Sequence, residues 1–278
     1  MSDFKINSKN LDLSTTVVMG ILNITDDSFY DGGKYISTER MLTKAGQMLS
    51  EGASIIDVGA QSSRPGSKPV NSQLEKERLV SSISSLKQQF PSIIISVDTY
   101  RAEIAKDCVE VGASIINDIS AGNMDEKMLD IVSELNVPYI MMHMQGNPEN
   151  MQNNPNYTDV NADVFSFFQE KTDFLKKKGF EKIIIDPGFG FGKTLTHNYE
   201  LLNHLGALKN LGFPILVGLS RKSMISKLLE NNPENALNGT TALNMIALQA
   251  GANILRVHDV KEAMECIKIV NFAKSCKK

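Results

Sequence analysis

The chain has 278 residues, of which 42% are apolar and 22% are charged, and its formal net charge is −3. These proportions are typical of a globular protein, and so small a net charge gives no long-range attraction to nucleic acid or to an anionic membrane. Three scattered cysteines exclude a disulfide framework and a paired metal site, and no apolar run approaches the ~18 residues of a membrane-spanning helix. We therefore expect a cytoplasmic protein without nucleic-acid or membrane partners.

Eight short apolar runs recur along the chain. They cover residues 16–22, 54–58, 93–97, 114–117, 138–143, 182–186, 214–218 and 253–257. They are continuously apolar rather than alternating, as is typical of strands covered on both faces of a parallel sheet. Polar segments compatible with helices lie between them, at residues 38–51, 71–89, 100–111, 125–136, 161–178, 197–210, 222–230 and 241–250. This alternation predicts an α/β protein.

Glycine or proline stands just before seven of the eight apolar runs, where each is a plausible helix stop. The chain shows no low-complexity linker or shift in composition. Eight βα units in about 260 residues favour a closed (β/α)8 TIM barrel over an open doubly wound sheet. We predict a single domain over residues 1–278, with its core at about residues 16–274.

Polar residues follow the apolar runs, where a barrel of this kind places its active site. In chain order they are Asn23, Asp57, Asp98, Asn117, His143, Asp186, the segment 220–223, Arg256 and His258. Any one of them is equally well explained as an ordinary turn former. Together, they predict a polar mouth at one end of the barrel.

The polar residues divide into two chemical groups. The hydrogen-bond acceptors are Asp98, Asn117 and Asp186, and the cations are Arg64, Lys222, Arg256 and His258. Carboxylates and an amide suit a flat heterocycle rich in N–H donors, whereas the cations suit a phosphate or a carboxylate. The predicted ligand is polar at one end and anionic at the other, and we expect the cations at the rim with the acids deeper.

Three local patterns leave alternatives open. Residues 187–194 nearly match a P-loop, but Pro187 stands where that pattern needs glycine, so a tight turn over a ligand is favoured. Residues 220–223 open a helix and are interpreted as an anion site, as an ordinary N-cap at Ser220 or Ser223, or as both at once. His143, between methionines, is either a base or ligand or, more commonly, a packed structural residue.

The chain as a whole resembles the dihydropteroate synthase family from about residue 17 to residue 260. The resemblance rests on GILNITDDSFYDGG, GASIIDVGAQSSRPG, SVDTY, NDISAG, MMHMQGNP, DPGFGFGK, GLSRKS, GTTALN and LRVHDV, which follow in the family's order. It implies a (β/α)8 barrel that condenses 6-hydroxymethyl-7,8-dihydropterin diphosphate with 4-aminobenzoate, releasing diphosphate and 7,8-dihydropteroate. It also implies Mg²⁺, a homodimer and sensitivity of the family to sulfonamides.

The resemblance also assigns roles to individual positions of this sequence. The pterin would be held by Asp98, Asn117, Asp186 and Lys222, and its diphosphate by Ser63, Arg256 and His258, with Asn23 as the Mg²⁺ ligand. The aminobenzoate would be held by Arg64, Pro65, Phe191, Lys222 and Ser223. Asp27, Phe29 and Asp31 would belong to the first loop, and the catalytic residues would be Asp31, Arg64 and Lys222.

The sequence departs from the family pattern at three positions near the mouth. Asp26 stands where proline is usual, Gln61 where glutamate is common, and Ser63 where threonine is common. Because serine keeps the hydroxyl, we expect phosphate contact at residue 63 to survive. Two rival hypotheses remain at this point: a methyltransferase that passes a methyl group from a folate to a corrinoid protein, and a catalytically silent pterin-binding protein. The cationic cluster argues against the first, and the intact first loop with Asn23 argues against the second.

Overall fold

The structure is a computed structural model that describes residues 4–6, 9–24, 33–60 and 70–276. Its strands are β1 (Phe4–Ile6), β2 (Lys9–Leu11), β3 (Val17–Asn23), β4 (Ile55–Gly59), β5 (Ile95–Asp98), β6 (Ile115–Asp118), β7 (Tyr139–Met142), β8 (Ile183–Asp186), β9 (Leu216–Val217) and β10 (Ile254–Val257). Its helices are α1 (Gly33–Glu51), α2 (Ser72–Gln89), α3 (Ala102–Glu110), α4 (Met128–Leu135), α5 (Val160–Lys177), α6 (Leu195–Asn203), α7 (Ser223–Leu228), α8 (Leu237–Ala250) and α9 (Val260–Ser275). Among these helices, none is long and apolar enough to cross a membrane.

Eight parallel strands form one sheet in the order β8-β7-β6-β5-β4-β3-β10-β9. The two edge strands, β8 and β9, meet through a parallel bridge between Ile185 and Ile215. The backbone N–H of Ile185 also donates to the carbonyl of Pro214 at 2.9 Å. The sheet thus closes into a (β/α)8 barrel, and the eight predicted strands are confirmed as β3 to β10.

Three elements differ from the sequence prediction. A short antiparallel hairpin, β1 with β2, precedes the barrel; strands of three residues are too short to show an apolar period. The predicted helix at 197–210 divides into α6 and a 3-10 helix, Leu205–Leu211. Helices α7 and α8 agree with the predicted segments 222–230 and 241–250, whereas α9, which follows β10, was not among the predicted helical segments.

The interior of the barrel changes from apolar to polar along the strands. One buried apolar cluster consists of Leu11, Leu13, Met19, Ile55, Ile115, Ile140, Ile184, Leu216 and Ile254. Side chains alternate between the two faces of a strand, so the residue two positions further on shares the same face. Those next inward positions include Ile21, Asp57, Asn117, Met142, Asp186, Gly218 and Arg256. The polar residues therefore lie nearer the carboxyl ends of the strands than the buried apolar cluster does.

Candidate active site

A cavity of about 380 Å³ opens at the carboxyl-terminal mouth of the barrel. The described residues that line it include Asn23, Phe189, Phe191, Ser220, Lys222, Ser223, Arg256 and His258. Six of these are predicted site residues, contributed by the ends of β3 and β10 and by the segments after β8 and β9. The closed barrel thus brings together side chains that are more than 200 positions apart in sequence.

Arg256 joins the cavity to the buried acids. Its Nε donates to Oδ2 of Asp57 and its Nη2 donates to Oδ2 of Asp98, each at 2.7 Å. Oδ2 of Asp57 also accepts from Nδ2 of Asn117 at 3.1 Å. The expected separation of rim cations from deeper acids therefore fails at Arg256. A carboxylate is costly to bury unless it is paired, and here the guanidinium is the partner of both acids.

Burial sets the ionisation of the carboxylates. Burial raises the pKa of Asp98 to about 7; Arg256 opposes this rise, while Asp57 and Asp186 add to it. Burial also raises the pKa of Asp186, against the nearby positive charge of Lys222 and a hydrogen bond at 2.8 Å from the backbone N–H of Gly188. Protonation of these two acids should therefore change ligand binding, and ligand binding should change their protonation.

Lys222 lies between the acids and an aromatic wall. Burial lowers the pKa of its amine to about 8, although the charge of Asp186 opposes this change. Its Nζ donates to the carbonyl of Phe189 and lies 4.8 Å from the ring centroid of Phe191. An ammonium over a ring face is an attractive arrangement, so Lys222 and Phe191 form one surface of the cavity.

Ser220 and His258 form a hydrogen-bonded pair at the rim. The backbone N–H of His258 donates to Oγ of Ser220 at 3.2 Å, and this Oγ lies 3.0 Å from Nδ1 of His258. When the hydroxyl donates to Nδ1, the neutral ring carries its proton on Nε2. The N-cap predicted at Ser220 or Ser223 is wrong: α7 begins at Ser223, its N-cap is Lys222, and no side chain caps it.

The glycine-rich turn after β8 packs against the end of β7. Gly188 has a φ of +68°, and a Cβ there would lie 1.9 Å from the carbonyl oxygen of His143. A Cβ on Gly192, with a φ of +60°, would lie 2.5 Å from the carbonyl oxygen of Gln145. The glycines therefore permit close backbone approach, as predicted, but the approach described here is to the protein's own chain. The turn carries Phe189 and Phe191 to the cavity.

His143 and Lys193 lie beneath this turn. Nζ of Lys193 donates to the carbonyls of Gly188 at 2.9 Å and Phe191 at 3.0 Å, and it lies 3.0 Å from Nδ1 of His143. Burial and the neighbouring Lys193 lower the pKa of His143 to about 2, and its ring packs edge-on to Phe167. His143 thus has the packed structural role that its methionine neighbours favoured.

The predicted site residues fall into two groups. Those that the structure describes gather around the mouth: Asn23, Asp98, Asn117, Asp186, Phe191, Lys222, Ser223, Arg256 and His258. The others, Asp26, Asp27, Phe29, Asp31, Gln61, Ser63, Arg64 and Pro65, lie outside the described residues. Asp57 was predicted only as one of the polar residues of the mouth, without a binding role, and Lys193 was not predicted as a site residue. An acid inside an apolar strand is a pattern that could have identified Asp57.

A closed βα barrel with paired ionisable groups inside its carboxyl-terminal mouth defines an enzyme of the TIM-barrel class. The family model described as pterin binding enzyme matches residues 19–258. The chain belongs to this family.

Three proteins similar to this chain are all dihydropteroate synthases. Dihydropteroate synthase of Escherichia coli K12 is 44% identical over 270 residues, which cover 96% of this chain and 95% of that protein. The structure of Yersinia pestis dihydropteroate synthase with a sulfonamide drug superposes with a TM-score of 0.92 at 42% identity, covering 99% of this chain and 100% of that one. Xanthomonas albilineans dihydropteroate synthase with 4-aminobenzoic acid gives a TM-score of 0.90 at 36% identity, covering 99% of both chains.

Proposed function

We propose that the chain is a transferase that condenses 6-hydroxymethyl-7,8-dihydropterin diphosphate with 4-aminobenzoate, giving 7,8-dihydropteroate and diphosphate. The proposal rests on one observation: hydrogen-bond acceptors and cations lie together at the carboxyl-terminal mouth of the barrel. Asn117 and Asp186 lie inside the barrel, and Lys222, Arg256 and His258 line the cavity above them. A ligand with N–H donors at one end and a diphosphate at the other matches this arrangement.

The acids and the amide would bind the pterin ring. Asp98, Asn117 and Asp186 can each accept hydrogen bonds from ring N–H groups, and a carboxylate can accept two such bonds side by side. Their negative charge would also stabilise positive charge that develops on the ring as the leaving group departs. The apolar cluster below them excludes water from the ring's inner edge.

The cations would stabilise the departing diphosphate. The bond between the methylene carbon and the diphosphate oxygen breaks, and its electron pair leaves with the oxygen. Arg256 and His258 would offer N–H donors to that oxygen and its neighbours, where negative charge increases. Ser63 would add a hydroxyl donor from the segment outside the described residues.

The amine of 4-aminobenzoate would supply the electron pair for the new carbon–nitrogen bond, and the resulting ammonium would lose its proton to solvent. Phe191, Lys222 and Ser223 would hold this substrate, together with Arg64 and Pro65. No strong general base is needed, because a carbon that is already losing its leaving group accepts a weakly basic amine. Asp31, in the first loop, would be a further catalytic residue.

The residues at the mouth fit a magnesium ion. A Cβ on Gly59 would lie 3.5 Å from Oδ1 of Asn23, so glycine leaves room beside that amide oxygen. Within the described ranges no cluster of three His, Cys, Asp or Glu side chains could form a protein-only metal site. Mg²⁺ characteristically takes few protein oxygens and completes its shell with phosphates and water, so Asn23 would hold it. When bound, Mg²⁺ would neutralise charge on the diphosphate.

The proposal includes a homodimer in the cytoplasm. Helix α9 carries Ile269 and Phe272, which are 59% and 73% exposed and three residues apart on one face, and Ile246 of the adjacent α8 is also exposed. Such apolar side chains are suited to burial against a second copy. Cys108 and Cys266 are buried free thiols, which suits a reducing compartment.

The experiment is an incubation of the purified chain with the pterin diphosphate, 4-aminobenzoate and Mg²⁺. Dihydropteroate and diphosphate should appear in equal amounts. Product no greater than in a protein-free control, from a chain shown to be folded, would contradict the proposal. Methyl transfer from a methylated folate to a corrinoid protein, without dihydropteroate, would instead identify the methyltransferase activity.

A further inference from the structure

Asp57 is a buried acid in the middle of β4. All five residues of this strand are buried, and Asp57 itself is 0% exposed. It lies two positions after Ile55, whose side chain belongs to the apolar cluster inside the barrel. Asp57 therefore points into the barrel at the level where the interior becomes polar. It is not among the residues that line the cavity.

The interactions of Asp57 are with two residues that the proposed function assigns to substrate. Oδ2 accepts from Nε of Arg256 at 2.7 Å and from Nδ2 of Asn117 at 3.1 Å. Oδ1 is buried and has no hydrogen-bond partner among the described residues. A carboxylate placed for stability alone would be expected to have both oxygens satisfied. This one is placed to hold Arg256 and Asn117.

The contact with Asn117 determines which end of the amide is available. A carboxylate paired with a guanidinium accepts hydrogen bonds and donates none, so it can hold Asn117 only through the NH₂ group. The carbonyl Oδ1 of Asn117 is then left for other partners. An amide held in this way acts as an acceptor toward the ligand and selects a ring that offers an N–H group.

The contact with Arg256 determines which edge of the guanidinium is available. Asp57 accepts a hydrogen bond from Nε and Asp98 accepts one from Nη2, and these two donors form the side-on edge of the guanidinium. Within the part of the chain that the structure describes, the end-on edge, formed by Nη1 and the second Nη2 proton, keeps two parallel donors for an anion. Rotation of the guanidinium away from this arrangement would break both hydrogen bonds to the acids.

We propose that Asp57 is a positioning residue that holds Asn117 with its carbonyl toward the pterin ring and Arg256 with its end-on edge toward the diphosphate. The inference rests on the proposed function and extends it to a residue that does not line the cavity. Asp57 acts through its two partners, so its loss affects the pterin diphosphate more than 4-aminobenzoate.

The test compares Asp57→Asn with the wild-type chain. The amide keeps the size of the side chain but removes the negative charge and adds donors that face Arg256 and Asn117. We expect KM for the pterin diphosphate to rise about tenfold or more, the effect of a lost charged hydrogen bond, while KM for 4-aminobenzoate changes less than about twofold. A double-mutant cycle with Asn117→Ala should show a combined loss smaller than the product of the two single losses, because part of the effect of Asp57 passes through Asn117 and the rest through Arg256.

The matched control is Ser96→Ala. Ser96 pairs with Asp57 in register and is 0% exposed, and its Oγ has no hydrogen-bond partner among the described residues. Its removal should leave both KM values unchanged. Equal losses for the two substrates, or a pterin KM within about twofold of wild type in a folded Asp57→Asn chain, would overturn the inference.

A second variant tests the inference even if the Asp57→Asn chain does not fold. Asn117→Asp keeps an acceptor for the ring but removes the NH₂ group that Asp57 holds. At alkaline pH it should lose at least as much pterin affinity as Asn117→Ala; retention of wild-type affinity would overturn the inference. A wild-type chain that makes no dihydropteroate would instead contradict the proposed function, whereas an active wild type with unaffected variants contradicts only the role of Asp57.

Discussion

Asp98, Asp186 and Arg256 share one largely buried space, and the ionisation of the two acids depends on their neighbours. Arg256 pairs with Asp98 directly, and burial raises the pKa of both acids. Paired charges in a site of low dielectric respond strongly to the loss of a partner or to the arrival of a ligand. Single substitutions at these positions should therefore change pterin binding more than they change the fold.

Asp186→Asn tests the acceptor role of the buried acid at the end of β8. The amide keeps the volume of the side chain but can accept fewer bonds from ring N–H groups and carries no charge. We expect the binding free energy of the pterin to weaken by about 2 kcal/mol, the value of a charged hydrogen bond. Calorimetric titration with the pterin measures this change, and an unaltered affinity would exclude Asp186 as a pterin ligand.

The affinity for the pterin should depend on pH through Asp98. With a pKa of about 7, this carboxyl group is mostly protonated at about pH 6 and mostly ionised at about pH 8. The ionised form is the better acceptor and the better partner of Arg256, so affinity should rise as the pH increases across this window. Titrations at both pH values measure it, and Asp98→Asn should flatten the dependence. A rise in that variant as steep as in the wild type would assign the dependence to another group.

The position of these residues at the mouth of the barrel could be predicted from the sequence, but their pairing could not. Asp98, Asn117 and Asp186 each end an apolar run, and the topology of a barrel places those ends at one mouth. Arg256 was expected apart from the acids because its position in sequence says nothing about which carboxylates lie across the barrel. Only the closed geometry brings Asp57 and Asp98 to the same guanidinium.

At the level of elements, the long turn after β8 has a physical basis in buried hydrogen bonds and in backbone conformation. The turn after β8 is described by the structure and is held by Lys193 and by glycines with positive φ. Its glycine pattern was visible in the sequence, but its contact with the end of β7 was not, because that contact joins segments more than 40 residues apart. The segments after β3 and β4 that carry Asp31 and Arg64 lie outside the described residues.

Gly188→Ala tests the close approach of this turn. The new Cβ would overlap the carbonyl oxygen of His143 in addition to adopting an unfavourable φ, so we expect a loss of several kcal/mol in the free energy of unfolding. Gly179→Ala is the matched control, since Gly179 has a φ of +78° with nothing within 4 Å of the new Cβ. It should lose only about 1 kcal/mol. Equal losses in denaturant unfolding would show that the contact with His143 is unimportant.

At the scale of the whole molecule, the barrel was predictable because its eight apolar runs and their spacing are properties of the chain itself. The assembly of two copies is not such a property. It depends on which apolar side chains remain exposed after folding, and the pattern of α9 alone does not distinguish a buried face from an exposed one. Phe272 and Ile269 became candidates for an interface only when the structure showed their exposure.

Phe272→Ser tests the proposed homodimer. Loss of the most exposed large apolar side chain among the described residues should weaken self-association and shift the chain toward monomer in sedimentation experiments at micromolar concentration. Leu74→Glu, at an exposed position on α2, is the control and should leave the assembly unchanged. A wild-type chain that sediments as a monomer would contradict the dimer without affecting the proposed reaction.

The proposed reaction requires that the mouth of the barrel binds the pterin diphosphate in one orientation. A crystal structure of the chain with this substrate bound would show that orientation directly. We expect the ring to lie between Asn117 and Asp186 with its N–H groups on their oxygens, and the diphosphate to contact Arg256 and His258. A ring bound outside the barrel, or a diphosphate turned toward Asp98 and Asp186, would contradict it.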